Sequence, residues 1–365
     1  MAERAGATTG DLLPGGTAHA EDGMSRIEWT DETWNPVSGC TKVSAGCKFC
    51  YAETVANRFW AKQYPAVARM NGTPVSPRTF TDVWTHPDRL AQPLGWRKPR
   101  RVFVNSMSDL FHPDVPDDFI DQVFAVMALC PQHTFQVLTK RPERMREYVS
   151  GLGASPGDRI GDACFDLEMR PEDSDCLVAN IINGFAWWRD MPERGVPLDG
   201  SHPLWPLPNT WLGVSVENQA TADVRIPFLL QTPAALRFVS VEPLLAPFDL
   251  SIYLASGFDE SPHDDIVQWV IVGGESGPNA RPCNVEWIRS IVRQCREAGV
   301  PCFVKQLGAR PYDGATIEPT GEFRTSPETG HRQMGATVRT LGLRSHKGAD
   351  PSEWPEDLRV REWPA

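Results

Sequence analysis

Trp269-Val-Ile-Val-Gly-Gly-Glu-Ser276 is an apolar run that ends in glycine and charge, and Cys302-Phe-Val-Lys-Gln-Leu-Gly308 repeats the arrangement. Between them Asn284 is placed to cap a helix whose Val285, Ile288, Ile291, Val292 and Cys295 share one face. Gly299 and Pro301 stop that helix. Strand, helix, strand repetition of this kind argues for a parallel sheet.

The same text recurs upstream. Arg101-Val-Phe-Val-Asn-Ser-Met-Ser-Asp109 and Thr134-Phe-Gln-Val-Leu-Thr-Lys-Arg141 flank a helical stretch, Asp117 to Cys130, in which Phe119, Ile120, Val123, Phe124 and Met127 form one stripe. Thr210-Trp-Leu-Gly-Val-Ser-Val-Glu-Asn218 and Leu236-Arg-Phe-Val-Ser-Val-Glu-Pro243 follow the pattern. An alternating, aromatic-rich segment from Ser25 supplies a first strand or hairpin. The expected class is therefore α/β, a parallel β/α barrel of TIM type, complete or partial, over residues 25–310. A doubly wound open sheet is the alternative, and it too would place its ligand at strand C-termini. Residues 1–24 read as a disordered leader, and 150–208 as an insertion between the third and fourth strands that would serve as a lid. Residues 311–365 read as a C-terminal extension packed on the barrel.

The 365-residue chain has no apolar run of membrane-spanning length and no basic-then-apolar N-terminus, so a cytoplasmic protein with no membrane partner is expected. In that reducing compartment its nine cysteines are not a disulfide framework. Six are scattered and read as structural, while Cys40, Cys47 and Cys50 fall within Gly39-Cys-Thr-Lys-Val-Ser-Ala-Gly-Cys-Lys-Phe-Cys-Tyr51. Gly39 and Gly46 let that loop curl so that three thiols converge, as a metal or an iron-sulfur cluster requires. A structural zinc site wants four ligands, whereas three thiolates on a four-iron cluster leave one iron open to a substrate. Zinc with a distant fourth ligand, and no metal at all, remain the other readings of the loop. A helix starting near Cys50 would favour an anionic cluster.

Strand ends carry the remaining chemistry. Lys140, Arg141, Glu217, Glu242, Glu275, Lys305 and Gln306 would converge on one rim. Glu217 and Glu242 are suited to ribose hydroxyls, and Lys140, Arg141 and Lys305 to carboxylate or phosphate, with Gln306 beside them; ion pairs across the mouth are the competing explanation. A nucleotide or nucleic-acid substrate is the class to test on this basic rim, although the net charge of -11 weighs against broad phosphate binding. His86 and His112, each beside a proline, read as loop surface.

Cys47-Lys48-Phe49-Cys50 resembles the Cys-x-aromatic-Cys ending of the radical S-adenosylmethionine superfamily, with six residues rather than the usual three separating Cys40 from Cys47. Over Ser25 to Gly308 the chain resembles an uncharacterised family of phage and bacterial proteins related to that superfamily. The phrases that carry the likeness include Thr33-Trp-Asn-Pro, the thiol loop, Asp109-Leu-Phe-His112, Leu138-Thr-Lys-Arg-Pro142, Ser240-Val-Glu-Pro-Leu244 and Gly273-Gly-Glu-Ser-Gly277.

The resemblance implies a [4Fe-4S] cluster on Cys40, Cys47 and Cys50, S-adenosyl-L-methionine as cofactor, an external electron donor, and hydrogen abstraction from an unidentified substrate. It also implies contacts to the methionine amino group. A Gly-Gly-Glu motif makes them in the superfamily after the second strand; here that slot holds Ser106 and Asp109, which become the candidates. Gly273, Gly274 and Glu275 follow the sixth strand instead, where the glycines would admit adenosine or substrate. Two rivals stand beside this expectation: a zinc-binding barrel hydrolase or nucleic-acid enzyme, and a non-catalytic phage-derived interaction protein with a structural metal.

Overall fold

The computed structural model describes residues 27–63, 78–152, 159–160, 163, 205–254, 266–325 and 332–364, with backbone alone at 61–63 and 315–339. Seven strands form one sheet: β1 Glu32–Trp34, β2 Arg101–Val104, β3 Thr134–Thr139, β4 Thr210–Val216, β5 Leu236–Val241, β6 Trp269–Gly273 and β7 Cys302–Gln306. Every neighbouring pair is parallel, and the spatial order is the chain order. An order that never reverses is singly wound, which removes the doubly wound alternative and its switch point. The sheet curls into a half-barrel, with β1 and β7 as its edges.

Each strand is shorter than its apolar text. β2 stops at Val104, and Asn105 takes a left-handed φ of 63°, turning the chain out of the sheet before Ser106 to Asp109. The polar tails thus leave the ladder at the C-terminal rim.

Alternation divides each strand between two apolar environments. Val102, Val104, Val137, Val214, Val239 and Val272 face outward into the main core with the helices. Phe103, Phe238, Trp269 and Phe303 face the concave side and close its base with Trp29. The rings meet at centroid distances of 4.7 Å for Trp29–Phe103 and 5.7 Å for Phe238–Trp269. Gly213 makes room for this packing, since a Cβ there would lie 2.6 Å from the Phe238 ring.

Five helices matter here: α1 Tyr51–Gln63, α2 Asp117–Leu129, α3 Pro142–Gly151, α4 Gln219–Leu230 and α5 Val285–Ala298. Asn284 caps α5 by accepting from the Glu286 N–H at 3.0 Å, and Gly299 ends it with a φ of 69°. Asn218 and Thr221 build a reciprocal capping box at the start of α4.

After β7 the chain forms an antiparallel pair, Pro311–Thr325 with Arg332–Thr340, and then returns along the sheet edge. There the Val304 N–H donates to Val360 at 2.8 Å and the Glu362 N–H donates to Cys302 at 2.9 Å. This tail satisfies an edge that would otherwise stay open. Trp354 and Leu358 enter the main core. Among the described residues, no helix is long and apolar enough to cross a membrane. The 1–24 leader, and the 150–208 insertion beyond its first residues and a few at either side, lie outside the described residues.

The two histidines expected on loop surface are buried instead. His86 is 8% exposed and His112 2%. Each ring has found a hydroxyl, Ser38 Oγ at 2.5 Å for His86 and Thr41 Oγ1 at 2.8 Å for His112. These partners lie on the N-terminal segment, far away in sequence, which is why neighbouring prolines misdirected the expectation.

Two measurements follow from this packing. Phe238→Ala should cost about 3–5 kcal/mol in urea unfolding, against a few tenths for Val224→Ala on the exposed side of α4. Burial, with Arg89 and Arg78 beside it, pushes His86 down to about 4. The unfolded chain then binds its proton first, so stability should fall as pH drops from about 6.5 towards 4, and His86→Asn should flatten that slope.

Candidate functional site

The thiol loop begins at Gly39, whose φ of 95° and contact with the neighbouring backbone exclude a side chain; a Cβ would lie 2.2 Å from the Asp82 carbonyl oxygen. Gly39 and Cys40 hang from the chain by N–H donation to Met107 at 3.0 Å and Phe80 at 2.8 Å. A short turn at Ala45–Cys47 follows, and α1 starts directly after Cys50. That places Cys50 where the helix N-terminus favours negative charge.

Three strand ends then hold the loop across the rim of the half-barrel. After β3, Arg141 donates to the Thr41 carbonyl at 2.9 Å and approaches Cys40 Sγ at 3.5 Å. Asp109 aims that guanidinium at 3.0 Å while accepting from Thr139 Oγ1 at 2.7 Å and the Lys140 N–H at 3.1 Å. After β4, the fully buried Glu217 accepts from Ser44 Oγ at 2.6 Å and pairs with Arg225 at 3.3 Å. A Cβ on Gly46 would come within 2.3 Å of the Glu217 carboxylate, so the second glycine of the loop is what lets it press down there. After β6, Glu275 grips Arg281 at 2.5 Å, and Arg281 donates to the Ala45 carbonyl at 3.0 Å.

Cys40, Cys47 and Cys50 are free, partly exposed thiols. Cys40 and Cys50 rest on a small apolar patch made by Ala52, Ala56, Trp60 and Phe80. Cys47 Sγ lies 3.9 Å from Ser44 Oγ. Burial, reinforced by Asp109 and opposed by Arg141, pushes the Cys40 thiol up to about 11. In kind the donor set suits a thiolate-bound group: three reduced thiols on one anchored loop. Among the described residues, no three His, Cys, Asp or Glu side chains are already drawn into a metal-holding group. A group bound by all three would require the thiols to turn towards one another.

Below the rim lies a polar layer on the aromatic base. Lys140 Nζ donates to Ser215 Oγ at 2.7 Å, and Ser215 Oγ donates to the Glu242 carbonyl at 3.0 Å. Ser240 Oγ donates to Glu242 Oε2 at 3.2 Å, and Lys305 Nζ pairs with Glu242 Oε1 at 3.1 Å. Two lysines therefore share a layer with one carboxylate, leaving a surplus of positive charge. Gly273 faces the same carboxylate, where a Cβ would lie 2.7 Å from it.

The expected residues thus divide. Lys140, Glu242, Gly273 and Lys305 make the polar layer, while Arg141, Glu217 and Glu275 hold the loop. Asp109 has its carboxylate taken up by β3 and Arg141, and Ser106 donates to Asn35 Oδ1 at 3.2 Å. Gln306 donates to the Gly274 carbonyl at 3.0 Å, and Gly274 packs against Leu307, where a Cβ would be 2.4 Å from the carbonyl oxygen. Both positions serve the β6–β7 junction in this arrangement.

Residues 24–345 match the family described as "Protein of unknown function (DUF5131)". The chain belongs to this family. The match takes in all seven strands, the thiol loop and the polar layer. Comparison with curated proteins and with solved structures finds no match.

Ser215, Arg225, Ser44 and Arg281 escaped the sequence reading. Ser215 and Ser240 were legible as small polar residues two places before each strand-end glutamate, and Arg281 as the base nearest after Glu275. Glu217→Ala should cost about 3–5 kcal/mol by stranding Arg225. Arg281→Ala should cost less and instead speed proteolysis and amide exchange in residues 40–50, which a mass-spectrometric exchange experiment would read.

Proposed function

We propose that this protein is a radical S-adenosylmethionine enzyme with a [4Fe-4S] cluster on Cys40, Cys47 and Cys50. The observation that carries the reading is the anchoring of a three-thiol loop by the ends of β3, β4 and β6, at the rim where parallel β/α folds hold their chemistry. The likeness of Cys47-Lys48-Phe49-Cys50 to the superfamily ending supports it from sequence.

Cys40, Cys47 and Cys50 would hold the cluster, which, once reduced by an external electron donor, would supply the one-electron reduction of S-adenosylmethionine needed for hydrogen abstraction from substrate. The chain's own part is to bind and shield. Lys140 and Lys305, with a single carboxylate between them, suit the cofactor carboxylate, and Ser240 and Glu242 suit its hydroxyls. The ring cluster of Trp29, Phe238, Trp269 and Phe303 closes the base of the lumen against water. Arg141, Glu217 and Arg281 fix the loop against that lumen. A nucleotide or nucleic acid is the substrate class that the cationic groups favour.

Protein purified and reconstituted anaerobically should be brown, hold about four irons per chain, and release 5'-deoxyadenosine from S-adenosylmethionine under a strong reductant. Cys50→Ala should abolish iron loading, whereas Cys130→Ala, a buried core position, should leave it intact. Colourless protein with one zinc, or equal iron loss in both variants, would overturn the reading.

A further inference from the structure

A cavity of about 720 Å³ lies beside the thiol loop, between the start of α1, the turns that follow β6 and β7, and the segment at 341–347. Cys50 is part of its wall. Its volume is that of a pocket for a nucleotide-sized ligand.

The wall is built in two halves. Pro311, Leu341 and Leu343 give an apolar floor, and Tyr51, with 59% of its surface exposed, offers an aromatic face. Lys48, Arg310 and Lys347 line the same space as exposed cations, and none of the three forms an ion pair among the described residues. The carboxylate of Glu53 also borders the cavity, but it is engaged by Lys42 at 2.8 Å. Asn57 and Asn279 add amides that both donate and accept.

We propose that this cavity binds a nucleotide, with its phosphate held by Lys48, Arg310 and Lys347 and its base stacked on Tyr51. The chemistry selects this class over other anions. A bare phosphate would use the cations and leave the apolar floor and aromatic face wet, and a neutral apolar ligand would leave three cations unpaired. A nucleotide engages both halves, and its base edge can meet the amides. Because Cys50 borders the cavity, the ligand lies next to the loop. In that position it would be the substrate of the reaction proposed above; that role rests on the radical reading, while the binding does not.

The test is calorimetric titration of the full-length, anaerobically purified protein with adenosine 5'-monophosphate, adenosine and ribose 5-phosphate. Saturable binding is expected for the nucleotide, weakening as salt rises and at least about tenfold weaker for adenosine or ribose 5-phosphate. The double variant Arg310→Glu with Lys347→Glu, at two exposed positions away from the thiols, should lose about ten- to hundredfold in nucleotide affinity with an unchanged circular dichroism spectrum and unchanged iron content. Tyr51→Ala should weaken the nucleotide and leave ribose 5-phosphate unaffected. Cys40→Ala, expected to lose iron, should keep nucleotide binding, so loss of the cluster and loss of the site are separable. Absence of saturable binding at millimolar nucleotide, wild-type affinity in the charge-reversed variant, or equal affinity for ribose 5-phosphate would each overturn the assignment.

Discussion

Glu217 is a carboxylate with no exposed surface at the end of a central strand, and a charge so placed must be paired or the fold does not tolerate it. Its two partners come from different layers. Arg225 projects from α4 on the outside of the sheet, and Ser44 comes from the thiol loop on the rim. One buried carboxylate therefore fixes the first outer helix after β4 and the middle of the loop relative to the same strand. Gly46 is part of the same constraint, because only a residue without a side chain lets the loop come down onto the carboxylate. Asp109 with Arg141 and Glu275 with Arg281 repeat the device at two further strand ends. Arg141 and Arg281 reach loop carbonyls and Glu217 takes the Ser44 hydroxyl, so three such struts add to the loop's own turn hydrogen bonds in holding it on the rim.

This division explains why the rim carries so many charges while few of them face the lumen. Struts use up Asp109, Arg141, Glu217 and Glu275. What remains free to meet a ligand is the inner layer of Lys140, Ser215, Ser240, Glu242 and Lys305, one step below the loop and one step above the aromatic base. The layer is polar because its positions lie nearest the mouth, and the base is aromatic because a curled sheet without a closing half must fill its concave side with large rings.

Much of this was legible before any coordinates. Strands buried on both faces write themselves as apolar runs, so six were found that way and β1 by its alternating aromatic text, and Asn284 and Gly299 announced the ends of α5. The end of β2 was overextended because Asn105 looks no different in sequence from a strand's last residue; its left-handed φ is a tertiary consequence. Whether the barrel closes was not legible either, since it depends on whether β1 and β7 meet, and the edge of β7 is instead paired with residues near Val360. The site was readable as a set of residue types and not as a set of roles. Position at a strand end says that a glutamate reaches the rim, but only its partners, such as Arg225 or Arg281, decide whether it faces a ligand or holds a loop.

The chain's acidity bears on function less than its total suggests. A net charge of -11 is spread over 365 residues, and fields from exposed charges fade over about 8 Å at physiological ionic strength. What a ligand meets is local. In the lumen two lysines oppose one carboxylate, and beside the loop three cations, none in an ion pair among the described residues, line a cavity with a glutamate already matched by Lys42. Both surpluses border the same thiol loop, one beneath it and one beside it. An extended polyanion gains affinity with the number of phosphates neutralised, whereas a small anion needs only one local match. The proposed nucleotide site rests on that local surplus of positive charge, which the residue totals alone do not reveal.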